Sequence, residues 1–487
     1  MSLSLLGAGR PVSRSKRTPV RMARSFVPVS TLSSSSRARL ALAAQLESAI
    51  RTRSRGGRWG VLVTSISRGD TLFSEEPDRL LKPASAMKLM TTALALERFG
   101  AEHTFSTEVL SDRPARFGQV DGSLYLRGGG DPTLSLRFSR GESPMDALAR
   151  RIKASGVDRV RGDIVADESA FAPERIPQGW KNSYRASAYA APVSALSLNE
   201  NLVWVDTRVI DGRAVVTIDP PSTVVRVTNS VRVVSGKGGR VLVGRTKSGV
   251  IASGWIGTSS KPRRYSLVVQ DPPLFAAGAL VASLARLGVT VDGTVRSGEA
   301  PSSGNRVAEV RSMRLDSIVS FMNRQSINHY AELLFRSAAR GPDRAGSAPA
   351  ALEALRGFLA DKVGVQREAI RVRDGSGLSE ADTLTARSLV QVLAYANRAS
   401  WSSAYHQSLP VAGQSELLRR RMRTTLAHGN LHAKTGSTNS VTSLAGYVTA
   451  RDGELLAFAF LYNGRDTWSA RQAMDRMGSS LASFTRD

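Results

Sequence analysis

The two ends of the chain carry the same kind of sequence, and the middle carries another. Near the start, residues 37–50 have helical apolar spacing, 59–66 alternate as a strand, and 70–75 follow a Gly-Asp turn as a partner strand. An apolar helix then runs from Pro83-Ala84-Ser85 to Phe99 and stops at Gly100. Near the end, helical patterns at 315–340, 347–363 and 385–398 precede strands at 431–435, 442–449 and 455–462. The last two strands are joined by the hairpin turn Arg451-Asp452-Gly453, and 468–484 reads as a closing helix. One domain assembled from both ends explains the pattern better than separate domains in series.

The middle has short alternating runs at 122–126, 203–210, 213–218, 224–228, 231–234, 240–244 and 265–269. A helix at 274–287 and a strand near 289–295 lead out of it. The expectation is a multi-domain α/β (α+β) protein. An antiparallel sheet flanked by helices forms from 37–110 and 306–487, with one or two strand-rich domains inserted at 111–305. No fixed-period repeat is present.

Ser85-Ala86-Met87-Lys88 lies where the first apolar helix begins. Ser is a good helix cap, so the serine alone proves little. Lys88 is harder to explain. It is the only charged residue from Pro83 through Leu96, and a cation in a first helical turn opposes the macrodipole. Burial and the dipole both disfavour its ammonium form, which suits a general base. Residues three apart share a helix face, so the amine can reach the hydroxyl. A second Ser-x-x-Lys at Ser13 and Lys16 sits in a basic tail without such context.

Two further patterns follow in order. Ser326-Ile327-Asn328 lies between helical segments, where Asn328 could simply cap a helix. Lys434-Thr435-Gly436 lies on a strand, where a lysine can protect a sheet edge and a glycine can mark a bulge. Read as chemistry, Lys434 supplies positive potential, Thr435 a hydroxyl for a carboxylate, and Gly436 room for a substrate backbone. Decoys exist: Ser-x-Asn also starts at Ser197, Ser303 and Ser437, and Lys247-Ser248-Gly249 mimics the last motif. The order of the three, each on the element its chemistry needs, is the signature shared by penicillin-binding proteins and class A β-lactamases. Ile327 stands where that signature has Asp.

The chain resembles the D-alanyl-D-alanine carboxypeptidase/endopeptidase family, the low-molecular-mass class C penicillin-binding proteins. The gap of about 240 residues between Ser85 and Ser326 fits that family's inserted domains. So do the strings Gly128-Gly129-Gly130-Asp131-Pro132-Thr133-Leu134, Gly162-Asp163 with Asp167, and Ala191-Pro192-Val193-Ser194-Ala195-Leu196-Ser197-Leu198-Asn199. Asp374-Gly375-Ser376-Gly377-Leu378-Ser379 is also family-like and reads as a Gly-rich turn of unassigned role. The resemblance spans roughly residues 40–485.

It implies a transpeptidase-like catalytic domain and a set of roles. Ser85 would attack the penultimate D-alanine carbonyl and form an acyl-enzyme, and Lys88 would take its proton. Ser326 would relay a proton to the leaving amine with Lys434. Asn328 would bind the substrate amide and Thr435 the terminal carboxylate, while Gly436 admits the substrate backbone. The backbone N–H groups of Ser85 and Ser437 would form the oxyanion hole, worth about 3–4 kcal/mol per donor. Expected partners are peptidoglycan stem peptides and, as covalent inhibitors, β-lactams. A β-lactamase or esterase on the same scaffold is the nearest alternative. A non-catalytic basic wall-binding or nucleic-acid-binding protein is the other.

Composition bears on that last alternative. The formal net charge is +26, which reads either as attraction to a polyanion or, since only ten of the 67 basic residues are lysines, as the surface of a protein from a GC-rich genome that spells its cations as Arg. No nucleic-acid-binding signature accompanies the charge, so no nucleic-acid partner is expected. There is no cysteine, and the five histidines have no ligand spacing, so neither a metal nor another cofactor is expected. Residues 1–36 are basic and Ser-rich, and read as disordered or export-related. The apolar run at 40–46 is short for a signal peptide, and no run reaches the ~18 residues of a membrane span. The resemblance implies a periplasmic or otherwise extracytoplasmic location.

Overall fold

The computed structural model describes residues 34–53, 56–138, 141–247 and 249–486. The Ser13/Lys16 motif, most of the basic segment 1–36, and Ser248 lie outside those residues.

Both ends of the chain build one five-stranded antiparallel sheet. Its spatial order is His432–Thr438, Val441–Thr449, Leu455–Asn463, Arg58–Ser65, Thr71–Glu75. Val61 stands opposite Phe460 and Trp59 opposite Tyr462, so the first strand pairs directly with the last. The strand Leu455–Asn463 is a nearly continuous apolar run because both its faces are covered. Phe458, Phe460 and Tyr462 belong to one core, and Ala457, Ala459 and Leu461 to the other, as a period of two requires.

The first core lies under two terminal helices, Ser34–Arg53 and Thr467–Ser483, which pack on each other. The second holds the helices Lys88–Phe99, Leu315–Gln325, Asn328–Ala338, Ala348–Phe358 and Ala386–Arg398. Tyr447 crosses this core and donates its hydroxyl to Leu393 O at 2.6 Å. The chain end locks the sheet from outside. Arg486 donates to Glu454 at 2.8 and 2.9 Å and to Asp70 at 2.8 and 3.1 Å.

The intervening segment leaves and returns through paired strands, Ser106–Ser111 against Asn305–Arg311. These belong to a five-stranded mixed sheet with Leu124–Gly128, Ile164–Asp167 and Val295–Ser297, and the helices Pro144–Ala154 and Pro272–Arg286 pack against each other in the same core. Two three-stranded sheets follow. One is Arg263–Val268, Leu202–Ile210 and Arg213–Asp219; the other is Arg226–Val234, Gly249–Gly257 and Gly239–Thr246.

Several elements differ from the sequence expectation. The runs at 224–228 and 231–234 are one strand, Arg226–Val234, because Asn229 and Ser230 continue it. The strand Gly249–Gly257 was not expected; its three glycines disguise it. The helix Pro144–Ala154 was also not expected. Ser143 caps it, Pro144 opens it, and Met145, Leu148, Ala149 and Ile152 form its buried stripe. The 289–295 strand is two fragments, Thr290–Val291 and Val295–Ser297.

Candidate active site

Ser85 sits in a 3-10 turn, Ala84–Met87, that runs straight into the helix Lys88–Phe99. A 3-10 turn has three residues per turn, so positions three apart eclipse. That places Lys88 Nζ 3.0 Å from Ser85 Oγ. No side-chain cap bond is made at either helix start, so Ser85 is not spent as a cap. Its N–H belongs to a first turn, whose donors have no acceptor within the helix. Ser85 is half-buried and Lys88 fully buried.

The turn is held firmly. Ala84 has φ 46°, an unfavourable value for a residue with a Cβ. Lys82 N donates to Asn463 Oδ1 at 2.8 Å and Asn463 Nδ2 donates to Lys82 O at 3.0 Å. Ser443 donates its hydroxyl to Pro83 O at 2.8 Å.

Lys88 Nζ makes two more hydrogen bonds, to Asn328 Oδ1 at 2.7 Å and Ser376 O at 2.8 Å. All three acceptors are neutral. Burial therefore brings Lys88 down to about 7, opposed only partly by the attraction of Asp374 and Glu332.

The helical pattern at 315–340 is broken in two at Ser326. Ser326 ends the first helix with a left-handed backbone, φ 58° and ψ 42°, and its Oγ accepts from Lys434 Nζ at 3.0 Å. Asn328 opens the second helix, but its side chain does not cap it. Its oxygen faces Lys88, and its Nδ2 donates to Tyr189 O at 2.9 Å. Arg137 fixes the same corner by donating to Gln325 Oε1 at 3.0 Å and pairing with Glu200.

Lys434 lies on an edge strand, yet it is fully buried and points inward rather than guarding the edge. Burial and the nearby Lys88 hold it well below the usual lysine range. Thr435 is half-buried and Ser437 exposed beside it, within 3.4 Å of Arg471. Gly436 packs on the serine turn. A Cβ there would run into Ser443 Oγ, and would lie 2.7 Å from Pro83 O and 3.0 Å from Ser85 N. Ser85, Lys88, Ser326, Asn328, Lys434, Thr435, Gly436 and Ser437 thus converge from three distant parts of the chain. Ser197, Ser303 and the 247–249 string belong to the intervening segment instead.

One component entered the sequence reading without a role. The turn beginning at Asp374 forms the floor of the site. Ser376 O accepts from Lys88, and Gly375 O accepts from Thr91 Oγ1 at 2.6 Å. Gly377 touches Ala84 O so closely, at φ +77°, that no side chain fits. Asp374 holds the turn by accepting from Ser376 N, Gly377 N and Ser379 N at 3.1, 2.6 and 2.7 Å. Trp180 Nε1 adds a fourth donor at 2.7 Å, from the intervening segment. An acid followed by Gly and Ser donors was a legible turn signal, but nothing local pointed to Trp180 or Lys88.

Among the described residues no helix is long and apolar enough to cross a membrane. In comparisons with known proteins, the D-alanyl-D-alanine carboxypeptidase of Actinomadura sp. strain R39 is 33% identical over 450 residues, covering 87% of this chain and 81% of that protein. The D-alanyl-D-alanine carboxypeptidase DacB of Haemophilus influenzae is 26% identical over 445 residues, with 89% and 90% covered. The crystal structure of penicillin binding protein 4 (dacB) from Haemophilus influenzae matches with a TM-score of 0.75 at 23% identity, over 90% of this chain and 98% of that one. That likeness establishes the fold: mixed helix and sheet in several domains. The D-Ala-D-Ala carboxypeptidase 3 (S13) family matches residues 42–484, and the chain belongs to that family.

Proposed function

We propose that this protein is a serine-type D-alanyl-D-alanine carboxypeptidase acting on peptidoglycan stem peptides outside the cytoplasm, and that penicillin acylates it. The observation that carries the reading is the 3.0 Å approach of a buried Lys88 amine to the half-buried Ser85 hydroxyl. An amine brought down to about 7 is neutral often enough to accept a proton and basic enough to hold it.

Ser85 Oγ attacks the carbonyl carbon of the penultimate D-alanine as its proton passes to Lys88. The backbone N–H groups of Ser85 and Ser437 receive the negative oxygen. As the intermediate collapses, the amine of the terminal D-alanine leaves with a proton delivered through Ser326, whose hydroxyl Lys434 holds. Water then cleaves the acyl-serine. Asn328 Nδ2 turns toward the substrate amide, Thr435 meets the terminal carboxylate, and Gly436 lets the peptide lie along the strand edge.

The test is covalent labelling by a fluorescent penicillin on a denaturing gel, followed by D-alanine release from a muropeptide. The expected band disappears in Ser85→Ala. Rapid turnover of the drug without D-alanine release would point to a β-lactamase, and no band with salt-sensitive polymer binding would remove the enzyme reading.

A further inference from the structure

Beneath the catalytic lysines lies a set of buried charges larger than acyl transfer needs. Asp374, Asp382 and Glu332 are all fully buried, as are Lys88, Lys434 and Arg336. The three acids differ in their partners. Asp374 accepts four N–H donors across its two oxygens. Asp382 accepts only Arg373 N, at 2.6 Å, and its other oxygen finds no donor among the described residues. Yet its bond to Arg373 N, the residue before Asp374, sets Asp382 beside Asp374, and burial followed by the Asp374 charge raises the Asp382 carboxyl well above its ordinary range. Two carboxyl groups side by side inside a protein cannot both be ionised, so one keeps a proton. The donor count assigns the charge to Asp374 and the proton to Asp382.

We propose that Asp374 is the resident negative charge that governs how readily Lys88 takes and releases its proton, with Asp382 as the protonated group that keeps it ionised. Both are positioning residues, acting through Lys88 and the Ser376 carbonyl. The link is short: Asp374 Oδ1 accepts from Ser376 N, and Ser376 O accepts from Lys88 Nζ. The other charged groups around the pair fit this assignment. Glu332 accepts from Gly375 N at 3.1 Å, and burial beside Asp374 favours its neutral form. Arg336 remains a cation that donates to Glu174 O and is attracted first by Glu332, one helical turn before it, and then by Glu174 and Glu168. His329 is neutral in burial beside Arg336. Lys434 is depressed by burial and by Lys88. Among the described residues, Asp374 is then the first carboxylate acting on Lys88, with Glu332, raised to about 8, the weaker second. Trp180 adds a consequence, since the intervening segment supplies one of the four donors that maintain this charge.

The inference rests on Ser85 and Lys88 acting as nucleophile and base, and one experiment separates the two ideas. The rate of labelling by a fluorescent penicillin is measured across pH for the full chain, Asp374→Asn, Asp382→Asn and Asp382→Leu. Without the carboxylate, Lys88 loses an attraction that favours its ammonium, so the acid limb of Asp374→Asn moves roughly one unit to lower pH. Asp382→Asn keeps a neutral donor and leaves the limb in place, whereas Asp382→Leu removes that donor but leaves the four N–H donors of Asp374, so the limb moves less than in Asp374→Asn. A lower plateau with an unmoved limb in Asp374→Asn would reduce Asp374 to a structural brace and overturn the proposal. A shifted limb in Asp382→Asn would show Asp382 to be the ionised partner and overturn it equally. If Asp374→Asn does not fold, infrared difference spectra of wild type against Asp382→Asn decide. A protonated carboxyl band at neutral pH that the variant loses supports the proposal, and its absence from the wild type removes it. If wild type itself is not labelled, the acyl-enzyme reading has failed instead.

Discussion

Lys434 Nζ holds Ser326 Oγ at 3.0 Å, and Lys88 Nζ holds Ser85 Oγ at the same distance. Two buried amines each serve one hydroxyl, and burial together with the charge of Lys88 makes that of Lys434 costly. The site therefore works with fewer protons than two exposed lysines would carry.

Acylation should follow that discharge. Lys88 is a base only when neutral, so penicillin labelling rises with pH through about 7 and falls on the acid side. Lys88→Arg keeps a cation that cannot lose its proton, and labelling should drop at least ~10²-fold. Stopped-flow labelling at several pH values checks both.

Asn328→Asp changes the same base in the opposite sense from removing Asp374. The new carboxylate would lie where Asn328 Oδ1 accepts from Lys88 at 2.7 Å. An adjacent anion favours the ammonium, so the acid limb should move up by roughly one unit or more. A pH–rate profile with wild-type position and reduced height would contradict this.

Gly436→Ala should damage the site more than the fold. The added methyl meets Ser443 Oγ, Pro83 O and Ser85 N, the groups that set the nucleophile turn. Overpacking costs about 1–3 kcal/mol. Labelling should fall at least ~10-fold while circular dichroism stays native.

Arg486→Ala tests the terminal lock. It leaves Glu454 buried, with Ser65 as hydrogen-bond donor and Arg68 at 3.5 Å. Breaking a buried pair costs ~3–5 kcal/mol, and Arg68 should hold the loss near the lower figure. Arg486 also holds the Asp70 carboxyl below its ordinary range. A depressed acid contributes stability above its unfolded value and loses it as pH falls through the folded one. The melting difference between wild type and Arg486→Ala should therefore narrow below about pH 4.

Much of this was legible in the sequence. The strand 455–462 announced itself because burial on both faces makes it a nearly continuous apolar run. Lys88 was legible because an isolated cation in an apolar helix start demands an explanation. What stayed hidden depends on distant partners. Asp374 looked like an ordinary turn acid, since Trp180 lies 194 residues away and Lys88 further still. The break at Ser326 was legible as a turn, but its left-handed backbone follows from the need to present Oγ to Lys434.

The pairing of the first strand with the last sets a timetable. Asp70 and Arg486 are 416 residues apart, and Val61 waits for Phe460 before its strand is enclosed. During vectorial synthesis the serine turn emerges early, but Lys434, Gly436 and the edge strand come last. The paired strands Ser106–Ser111 and Asn305–Arg311 shorten the wait in space, because closing them first brings the separated halves together. The nucleophile is thus made long before it is armed, and a chain cut short before its final strands carries a serine with no machinery to use it.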